Sequence, residues 1–526
     1  SMLSIVLDTL QPARYNARMT TSMPNLLFIM TDQQRYDALG ANGNDVIHTP
    51  HLDALARGGA NLQQYFTNCP VCVPSRCTMF TGRYPHAHRV RENHNLLECG
   101  REMHLFRVLK QAGYAIGYSG KNHLLEQAET ANFDFWAGDV KDDSRITEWY
   151  ANYRKSLAAE GKPEIWRAGA FHDFPIEATR TGKTAGAGMR FLRERDRTKP
   201  FALCVSFSDP HVPHLAPRKY EQLYPLDKLE LHPWRAEEMA DKPRRYHIKW
   251  RAQKADRADD AGRRHYMAVY YAMLSFVDEM VGSLLAELDA QGIANDTLVV
   301  FTTDHGDFCF EHNMCKKDLV LLDSLLHVPF LLRWPGRIAP QNLRETLVEQ
   351  VDVMPTLLEL MGIETPFGVQ GRSFAACLRG ERAAHKDAVC AEICPPWLYN
   401  PFADYAAMER HHGSWEATPI NVIGDFTKSI REAHWRYIWY ATGEEELYDH
   451  RADPHELHNL AGAPEYAGER TRLKLRLLEW CARSEDPLDP LSIRQLQAKY
   501  AGWKGGEPLP GAMAGPGWLE QRFERR

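Results

Sequence analysis

Short apolar runs alternate with amphipathic segments along the first two thirds of the chain. The runs predict buried strands at residues 25–31, 115–119, 201–207, 297–303 and 330–334. Spacings of three and four residues between apolar positions predict helices over 49–57, 105–111 and 267–288. Strands that alternate with helices are typical of an α/β fold with a large, mostly parallel sheet flanked by helices.

The pattern changes beyond about residue 385. Four short strand candidates at 388–393, 427–431, 436–440 and 446–449 precede an amphipathic helix at 471–482, which predicts a smaller antiparallel-sheet subdomain. We therefore divide the chain into an N-terminal arm, a main α/β domain, a C-terminal α+β subdomain and a tail, over residues 1–23, 24–385, 386–483 and 484–526. The tail is rich in Pro and Gly. We expect it either to be disordered or to form an arm around a partner subunit of a homo-oligomer.

The composition argues against a nucleic-acid-binding protein and against a membrane-spanning protein. The 526 residues carry a net charge of -6, which gives no basic footprint for nucleic acid. No apolar run approaches the roughly 18 residues of a membrane span. Eleven scattered cysteines indicate a reducing compartment, and the segment 3–8 is too short and acidic for a leader. We expect a cytoplasmic protein, or a periplasmic one if a leader has been removed.

One stretch carries a distinctive cysteine. Cys72-Val73-Pro74-Ser75-Arg76 is followed by Thr81-Gly82-Arg83. Cys69 and Cys72 also form a C-x-x-C pair, for which a redox pair or half of a zinc site are the alternatives. A zinc site needs a second close Cys or His pair, and the nearby cysteines are too irregularly spaced to supply it.

Polar clusters follow three of the predicted strands. Asp32-Gln33, Lys121 with His123, and Asp304-His305 come directly after them, and a proline-rich loop adds His211. Carboxyl ends of parallel strands meet at one edge of a sheet, so we expect these side chains to converge. The non-functional alternatives are that Asp304-His305 begins a helix and that the lysines and histidines are ordinary surface residues.

The first and third clusters suggest a metal site. Asp32 and Asp304, with Gln33 and His305, form a mixed oxygen and nitrogen donor set for a divalent ion. The imidazole weakens the case for Ca²⁺ and keeps Mn²⁺ and Mg²⁺ as alternatives.

A highly charged stretch interrupts the main domain at residues 234–266. We expect a solvated helix or insert that could lean over a pocket. Specificity is expected in loops at 160–185, 215–265 and 395–425, the last of which contains His411, His412 and Trp415.

Several motifs together resemble the type I sulfatases, which use a formylglycine made from cysteine. The resemblance covers about residues 24–462, and its motifs lie at 24–35, 72–83, 120–123, 206–213, 296–307, 311–317 and 447–460. The fold that it implies is that of the alkaline-phosphatase superfamily, and the activity is hydrolysis of a small-molecule or saccharide sulfate ester.

The resemblance also implies roles for the site. Cys72 would be oxidised by a formylglycine-generating maturation enzyme that recognises Pro74 and Arg76. One divalent ion, Ca²⁺ in the first instance, would be held by Asp32, Gln33, Cys72, Asp304 and His305. Arg76 would brace the hydrated aldehyde, and Asn93 would line the substrate pocket. The expected sulfate-binding and acid/base groups are Lys121, His123, His211 and Lys317, with Lys316 as an alternative to Lys317 and Asp307 ordering the following turn.

Two departures keep a second activity open. Gln33 stands where many sulfatases carry a second Asp, and His305 where Asn is common. Phosphonate monoester and phosphodiester hydrolases on the same scaffold share these variants, although they tend to replace the Gly120-Lys121-x-His123 motif retained here. A non-catalytic binding protein is the third alternative.

Overall fold

The computed structural model describes residues 23–485 except 94–95, 163–164, 244, 248–249, 251–252, 318–319 and 394–425. The predicted N-terminal arm up to residue 22, the loop with His411, His412 and Trp415, and the tail beyond residue 485 therefore lie outside the described residues.

An eight-stranded sheet forms the centre of the main domain. Its order is β11-β2-β10-β9-β1-β7-β4-β5, and only β10 runs antiparallel to its neighbours. The predicted mostly parallel sheet is thus confirmed. The strands of the chain are β1 Asn25–Asp32, β2 Ala60–Leu62, β3 Tyr65–Phe66, β4 Ala115–Gly120, β5 Phe135–Gly138, β6 Ala170–His172, β7 Phe201–Pro210, β8 Leu215–Pro217, β9 Thr297–Thr303, β10 Phe330–Arg333, β11 Gln341–Leu343, β12 Val348–Glu349, β13 Val389–Ile393, β14 Thr427–Arg431, β15 Trp435–Tyr440 and β16 Glu445–Asp449.

Helices cover both faces of this sheet. Alternate side chains of β1 enter different cores, with Leu27 and Ile29 on one face and Phe28 and Met30 on the other, as the period of two in a strand requires. The described helices are α1 Pro50–Arg57, α2 Cys72–Thr81, α3 Pro85–His88, α4 Leu105–Gln111, α5 Gln127–Thr130, α6 Ser144–Ala159, α7 Arg180–Glu194, α8 Glu238–Asp241, α9 Asp260–Ala290, α10 Asp323–Leu326, α11 Val353–Leu360, α12 Ala375–Leu378 and α13 Ala467–Ser484.

The long helix α9 packs along one face of the sheet. By length and composition it is apolar enough to cross a membrane, but 89% of its most apolar window is buried inside the protein. Its buried residues join those of α7 and β7 in one continuous core. This burial is what a core helix of a globular domain shows.

The C-terminal part is a four-stranded antiparallel sheet in the order β13-β14-β15-β16. One of its faces packs on the main domain through Ile438 and Tyr440. The other face receives Leu473 and Leu477 of α13. The predicted small antiparallel sheet with its amphipathic helix is present.

The charged stretch at 234–266 is not the solvated insert that the sequence predicts. Lys242 is buried, and its Nζ donates to the hydroxyl of Tyr448 at 2.8 Å and to the carbonyl of Glu456 at 2.6 Å. Tyr246 is also buried and donates to Glu446. The stretch therefore joins the two sheets, because its cations find buried partners in the C-terminal part.

Four adjacent parallel strands position the residues of the candidate site. The neighbours β9, β1, β7 and β4 all run in the same direction. Asp32 is the last residue of β1, and the residues that directly follow the other three are Asp304, His211 and Lys121. Their side chains are therefore delivered to one edge, as in other open α/β sheets.

Candidate active site

Cys72 is the first residue of the buried helix α2. Val71 before it is extended, and Gly82 in the left-handed region at φ 64° ends the helix. Pro74 lies in the first turn, where its missing N–H leaves no backbone bond unmade. The side chain of Cys72 is 1% exposed, so a nucleophile made from it would be shielded from bulk water.

The side chain of Asn93 satisfies a backbone N–H at the N-terminus of this helix. Oδ1 of Asn93 accepts a hydrogen bond from the backbone N–H of Val73 at 3.0 Å. The first N–H groups of a helix have no intrahelical partner, so Asn93 serves as a cap from outside the helix. The structure gives Asn93 this contact, and the predicted contact with substrate stays a prediction.

The helix is also fastened to the end of β9. The hydroxyl of Ser75 donates to the carbonyl of Asp304 at 2.6 Å. Gln350 bridges the same elements, since its Oε1 lies 2.8 Å from the hydroxyl oxygen of Ser75 and its Nε2 donates to the Asp304 carbonyl at 2.8 Å. These bonds fix the helix that carries Cys72 relative to the end of β9.

Arg76 joins the two carboxylates beside Cys72. Its Nη2 lies 2.9 Å from Oδ2 of Asp32, and its Nε lies 2.9 Å from Oδ2 of Asp304. All three side chains are fully buried. A guanidinium suits this position because its planar fork holds two carboxylates in fixed directions.

Two lysine side chains lie next to Cys72. Nζ of Lys121 lies 2.6 Å from Oδ2 of Asp32 and 3.9 Å from the sulfur of Cys72. Nζ of Lys317 lies 2.5 Å from that sulfur and 2.9 Å from Nε2 of His305. The structure thus brings Lys317 to Cys72, whereas Lys316 is buried with its backbone N–H donating to Asp307 and Tyr266.

The charges around Cys72 favour its ionised form. Burial and Asp32 raise the pKa of the Cys72 thiol, but Lys121, Lys317 and His305 outweigh them and bring the pKa well below its ordinary value. Burial also raises the pKa of Asp32, yet Lys121, His211, Lys317 and Arg76 together hold that pKa well below its usual range. The centre is therefore built to hold negative charge.

Four side chains form a group that could hold a metal ion. Ligand atoms of Asp32, Cys72, Asp304 and His305 all lie within 4.8 Å of one another. Nδ1 of His305 lies 2.9 Å from the carbonyl of Gly306, which orients the ring so that Nε2 faces the sulfur of Cys72 at 3.3 Å. Burial and the charge of Asp32 raise the pKa of Asp304 to about 6. A bound cation would offset the repulsion between these two carboxylates. The donor set fits a divalent ion.

Gln33 sits beside this group in a left-handed backbone conformation at φ 74°. Its N–H donates to Oδ1 of Asp304 at 3.0 Å, and its carbonyl accepts from the hydroxyl of Tyr270 at 2.6 Å. Its Nε2 donates to Asp307 at 2.5 Å, so Oε1 is the atom of this amide that could bind an ion. Asp307 also accepts from the N–H of Cys309, so it orders the turn as expected.

His211 is held by a clamp that the sequence does not reveal. The guanidinium of Arg180 donates to the carbonyls of His211 at 2.7 Å and Pro213 at 3.0 Å, and to Oδ1 of Asp209 at 2.8 Å. Nδ1 of His211 lies 2.8 Å from the carbonyl of Val212. Burial and Lys121 put the pKa of His211 well below its ordinary value, so the ring is neutral with Nε2 unprotonated.

His123 lies next to the site without touching Cys72 in the described contacts. It is half-buried with φ 41°, and its buried Nδ1 has no hydrogen-bond partner among the described residues. Its predicted role as a base therefore stays a prediction. Cys69, the other half of the C-x-x-C pair, is a free thiol whose pKa is raised by burial, which does not suit a redox nucleophile.

Comparisons with known proteins agree with this geometry. Residues 24–363 match the family model described as Sulfatase. Residues 310–483 match the model of the N-sulphoglucosamine sulphohydrolase C-terminal part. These two matches together span both sheets.

Individual relatives align over most of the chain. An ulvan-active sulfatase from Formosa agariphila is 28% identical over 93% of this chain and 86% of its own length. A choline-sulfatase from Rhizobium meliloti is 29% identical over 91% of each chain. The solved phosphonate monoester hydrolase of Agrobacterium radiobacter superposes with a TM-score of 0.71 at 25% identity, over 88% of this chain and 96% of that one.

Proposed function

The chain belongs to the sulfatase family of the alkaline-phosphatase superfamily, and from that premise we propose that it cleaves sulfate esters with a formylglycine made from Cys72. The observation that carries the proposal is the placement of Cys72. It begins a buried helix between two carboxylates, an imidazole and two ammonium groups. An aldehyde there would be hydrated in a polar, enclosed centre.

The covalent chemistry balances with water as the only other reactant. One hydroxyl of the hydrated aldehyde attacks sulfur, so that a new S–O bond forms while the ester S–O bond breaks and the alcohol leaves with a proton. The second hydroxyl then gives up its proton, the C–O bond to sulfate breaks, and the aldehyde returns. Water restores the hydrate. An unmodified Cys or a Ser has no second hydroxyl with which to expel sulfate.

A divalent ion would be held by Asp32, Asp304, His305, Gln33 and the residue at position 72. When bound, it supplies positive charge that stabilises an ionised nucleophile and offsets the charge of the ester oxygens. Ca²⁺ is our first choice and Mn²⁺ or Mg²⁺ the alternatives. Dialysis against a chelator should abolish activity, and titration with each of the three ions should identify the one that restores it.

The two lysines are placed to bind the sulfate oxygens. Their ammonium groups lie 3.9 Å and 2.5 Å from the sulfur of Cys72, and that sulfur marks where the attacking oxygen would be. Fixed cations stabilise the charge that gathers on the oxygens during transfer. Arg76 keeps the two carboxylates in place.

His211 is proposed to protonate the leaving oxygen. In the resting centre its Nε2 is unprotonated because burial and Lys121 lower its pKa. An incoming anionic ester would offset the charge of Lys121, which favours protonation of the ring as substrate binds. His123 remains our candidate for the base that takes the proton of the second hydroxyl.

A phosphonate monoester or phosphodiester hydrolase is the second candidate. The superposition on the phosphonate monoester hydrolase favours it. Against it stands Lys121, whose motif those relatives tend to replace and whose Nζ lies 2.6 Å from Asp32 in this centre. A larger kcat/KM for a phenyl phosphonate monoester than for an aryl sulfate would reverse the order.

The test of the proposed function compares three proteins made with the maturation enzyme. Wild type should hydrolyse 4-nitrophenyl sulfate, whereas Cys72→Ala and Cys72→Ser should not turn over. Thermal unfolding of each variant shows whether it is folded. An active Cys72→Ala would exclude the mechanism.

Substrate class and location are part of the proposal. Relatives named for ulvan and for N-acetylglucosamine 6-O-sulfate support a sulfated saccharide. The ten described cysteines are free thiols, which supports a cytoplasmic location.

A further inference from the structure

A strained loop, residues 305–317, connects His305 to Lys317. Five of its residues other than glycine lie in the left-handed region with φ between 44° and 67°, namely Cys309, Phe310, His312, Asn313 and Lys316. This backbone conformation is unfavourable for most residues with a Cβ, and it persists only where surrounding contacts hold it. The loop begins at a candidate metal ligand and ends at the ammonium group beside Cys72. Contacts that hold the loop therefore also determine where these two groups lie.

The guanidinium of Arg35 binds the first half of this loop. Its Nη1 donates to the carbonyl of Asp307 at 2.9 Å and to the carbonyl of Phe308 at 3.0 Å. Its Nη2 forms an ion pair with Asp37 at 2.6 Å, and the side chain of Arg35 is 5% exposed. An arginine suits this position because its planar fork donates in several fixed directions at once. Arg35 thus ties the segment that follows β1 to the 305–317 loop.

Glu311, in the second half of the same loop, joins Arg35 to the C-terminal part. Its Oε2 lies 2.7 Å from Nη2 of Arg35, and its Oε1 accepts from Nδ1 of His455 at 2.7 Å. His455 follows β16 of the four-stranded sheet. Burial raises the pKa of Glu311, but the charge of Arg35, the hydrogen bond from His455 and neighbouring histidines bring it below its usual range. The carboxylate is therefore ionised, which strengthens both contacts.

The outer member of this chain of contacts is accessible. The side chain of His455 is 43% exposed, whereas those of Glu311 and Arg35 are each 5% exposed. His455 can therefore be replaced without opening the core. His458 lies three residues further along, is 61% exposed, and faces Asp453 of its own segment at 3.6 Å. It provides a matched position for comparison.

From these contacts we propose that His455 is a positioning residue of the active centre, which acts through Glu311 and Arg35. The three side chains connect the C-terminal sheet to the strained loop and fix the ends of that loop relative to Cys72. The inference rests on the proposed function only for its effect on turnover. Its effect on the loop requires no catalysis.

Hydrogen exchange of backbone amides, followed by mass spectrometry, measures the loop directly. The N–H of Phe308 donates to the carbonyl of Lys316 at 2.8 Å, and the N–H of Phe310 donates to the carbonyl of Met314 at 2.7 Å. Local opening of the loop breaks these bonds and exposes the amides to exchange.

Three variants test the contact made by His455. His455→Ala should accelerate exchange in residues 306–316 about tenfold, as expected for loss of one hydrogen bond to a charged group. His455→Asn, whose side-chain nitrogen can replace Nδ1 as a donor, should restore the protection of the wild type. His458→Ala should leave the exchange of the loop unchanged.

Turnover gives the second readout. In the mature protein His455→Ala should lower kcat for 4-nitrophenyl sulfate about tenfold, the usual cost of losing a group that supports a metal site from behind. His455→Asn should recover the rate, and His458→Ala should retain it.

The outcomes separate this proposal from the function itself. Unchanged exchange of the loop in His455→Ala, acceleration spread over the whole chain, equal acceleration in His458→Ala, or no rescue by His455→Asn would overturn the proposal. Accelerated exchange of the loop at an unchanged kcat would also overturn it, because the loop would then not position the centre. Accelerated exchange with rescue, in a protein that hydrolyses no sulfate ester, would keep the support of the loop by His455 and reject the proposed function.

Discussion

The ammonium group of Lys317 lies 2.5 Å from the sulfur of Cys72. Burial lowers the pKa of Lys317, but Cys72, Asp32 and Asp304 raise it above its ordinary value, so the cation persists. A permanent positive charge at this distance stabilises negative charge on whatever atom replaces the sulfur.

Replacement of Lys317 by Met should therefore reduce kcat for 4-nitrophenyl sulfate by about 100- to 1000-fold, the usual cost of removing one group that stabilises developing charge. The steady-state rate of the mature enzyme measures this. Lys155→Met on the exposed face of α6 is the matched control and should retain activity. A loss below about tenfold would show that Lys317 does not contact the transferred group.

Arg180 should act through His211. Its guanidinium binds the carbonyls of His211 and Pro213, so Arg180→Gln is expected to free the loop and misplace the proton donor. Activity should fall more for aryl sulfates with weakly acidic phenols than for 4-nitrophenyl sulfate, because poor leaving groups depend more on protonation.

The measurement is kcat/KM across a series of phenols of different acidity. Arg180→Gln and His211→Ala should both steepen the dependence on leaving-group acidity. Arg193→Gln, which alters an exposed residue of the same helix α7, should not. An equal loss for every phenol in Arg180→Gln would assign Arg180 a purely structural role.

Asn93 should position the nucleophile. Asn93→Leu removes the acceptor for the N–H of Val73 and should cost about 1 kcal/mol of stability, as for other lost helix caps. Asn93→Asp keeps an acceptor oxygen and should restore both stability and kcat. Thermal unfolding and initial rates together test this, and an Asp variant no better than Leu would contradict it.

The strand ends could be predicted from the sequence because their signal is local. An apolar run followed at once by Asp32 or Asp304 gives both the strand and the edge where its polar residues lie. The sheet, the C-terminal subdomain and the convergence of Asp32, Lys121, His211 and Asp304 follow from that periodicity and from the family motifs.

Other contacts have no local signal. Arg180 and Asn93 bind backbone groups of other segments, and the sequence indicates neither contact, although the family resemblance places Asn93 near the pocket. The highly charged stretch around Lys242 predicts a solvated side chain, yet its partners Tyr448 and Glu456 lie about two hundred residues further along the chain. Composition reports charge but does not report which charges meet.

Stability should depend on pH through Asp278 in the core helix α9. Burial raises the pKa of this carboxyl from 3.8 to about 7, although it accepts hydrogen bonds from the N–H groups of His51 and Leu52. The folded protein therefore keeps a proton that the unfolded chain releases. The stabilisation is complete below about pH 4 and is lost as pH rises through about 7.

Between pH 5 and pH 8 this group should remove about 2 to 3 kcal/mol of stability from the wild type. Asp278→Asn has no such proton to lose, so its stability relative to wild type should increase over that interval. Urea unfolding at several pH values measures the difference, with the exposed Asp289→Asn as control. A difference that stays constant with pH would contradict the raised pKa.

The central claim is that Cys72 is the precursor of the nucleophile. Trypsin should release residues 58–76 as one peptide, in which fragmentation distinguishes Cys72 from Cys69. After production with the maturation enzyme, mass spectrometry should find CHO in place of CH₂SH at position 72 alone. Across preparations of differing maturation, kcat for 4-nitrophenyl sulfate should rise in proportion to the fraction of formylglycine. Full activity in a preparation that contains only unmodified Cys72 would contradict the account.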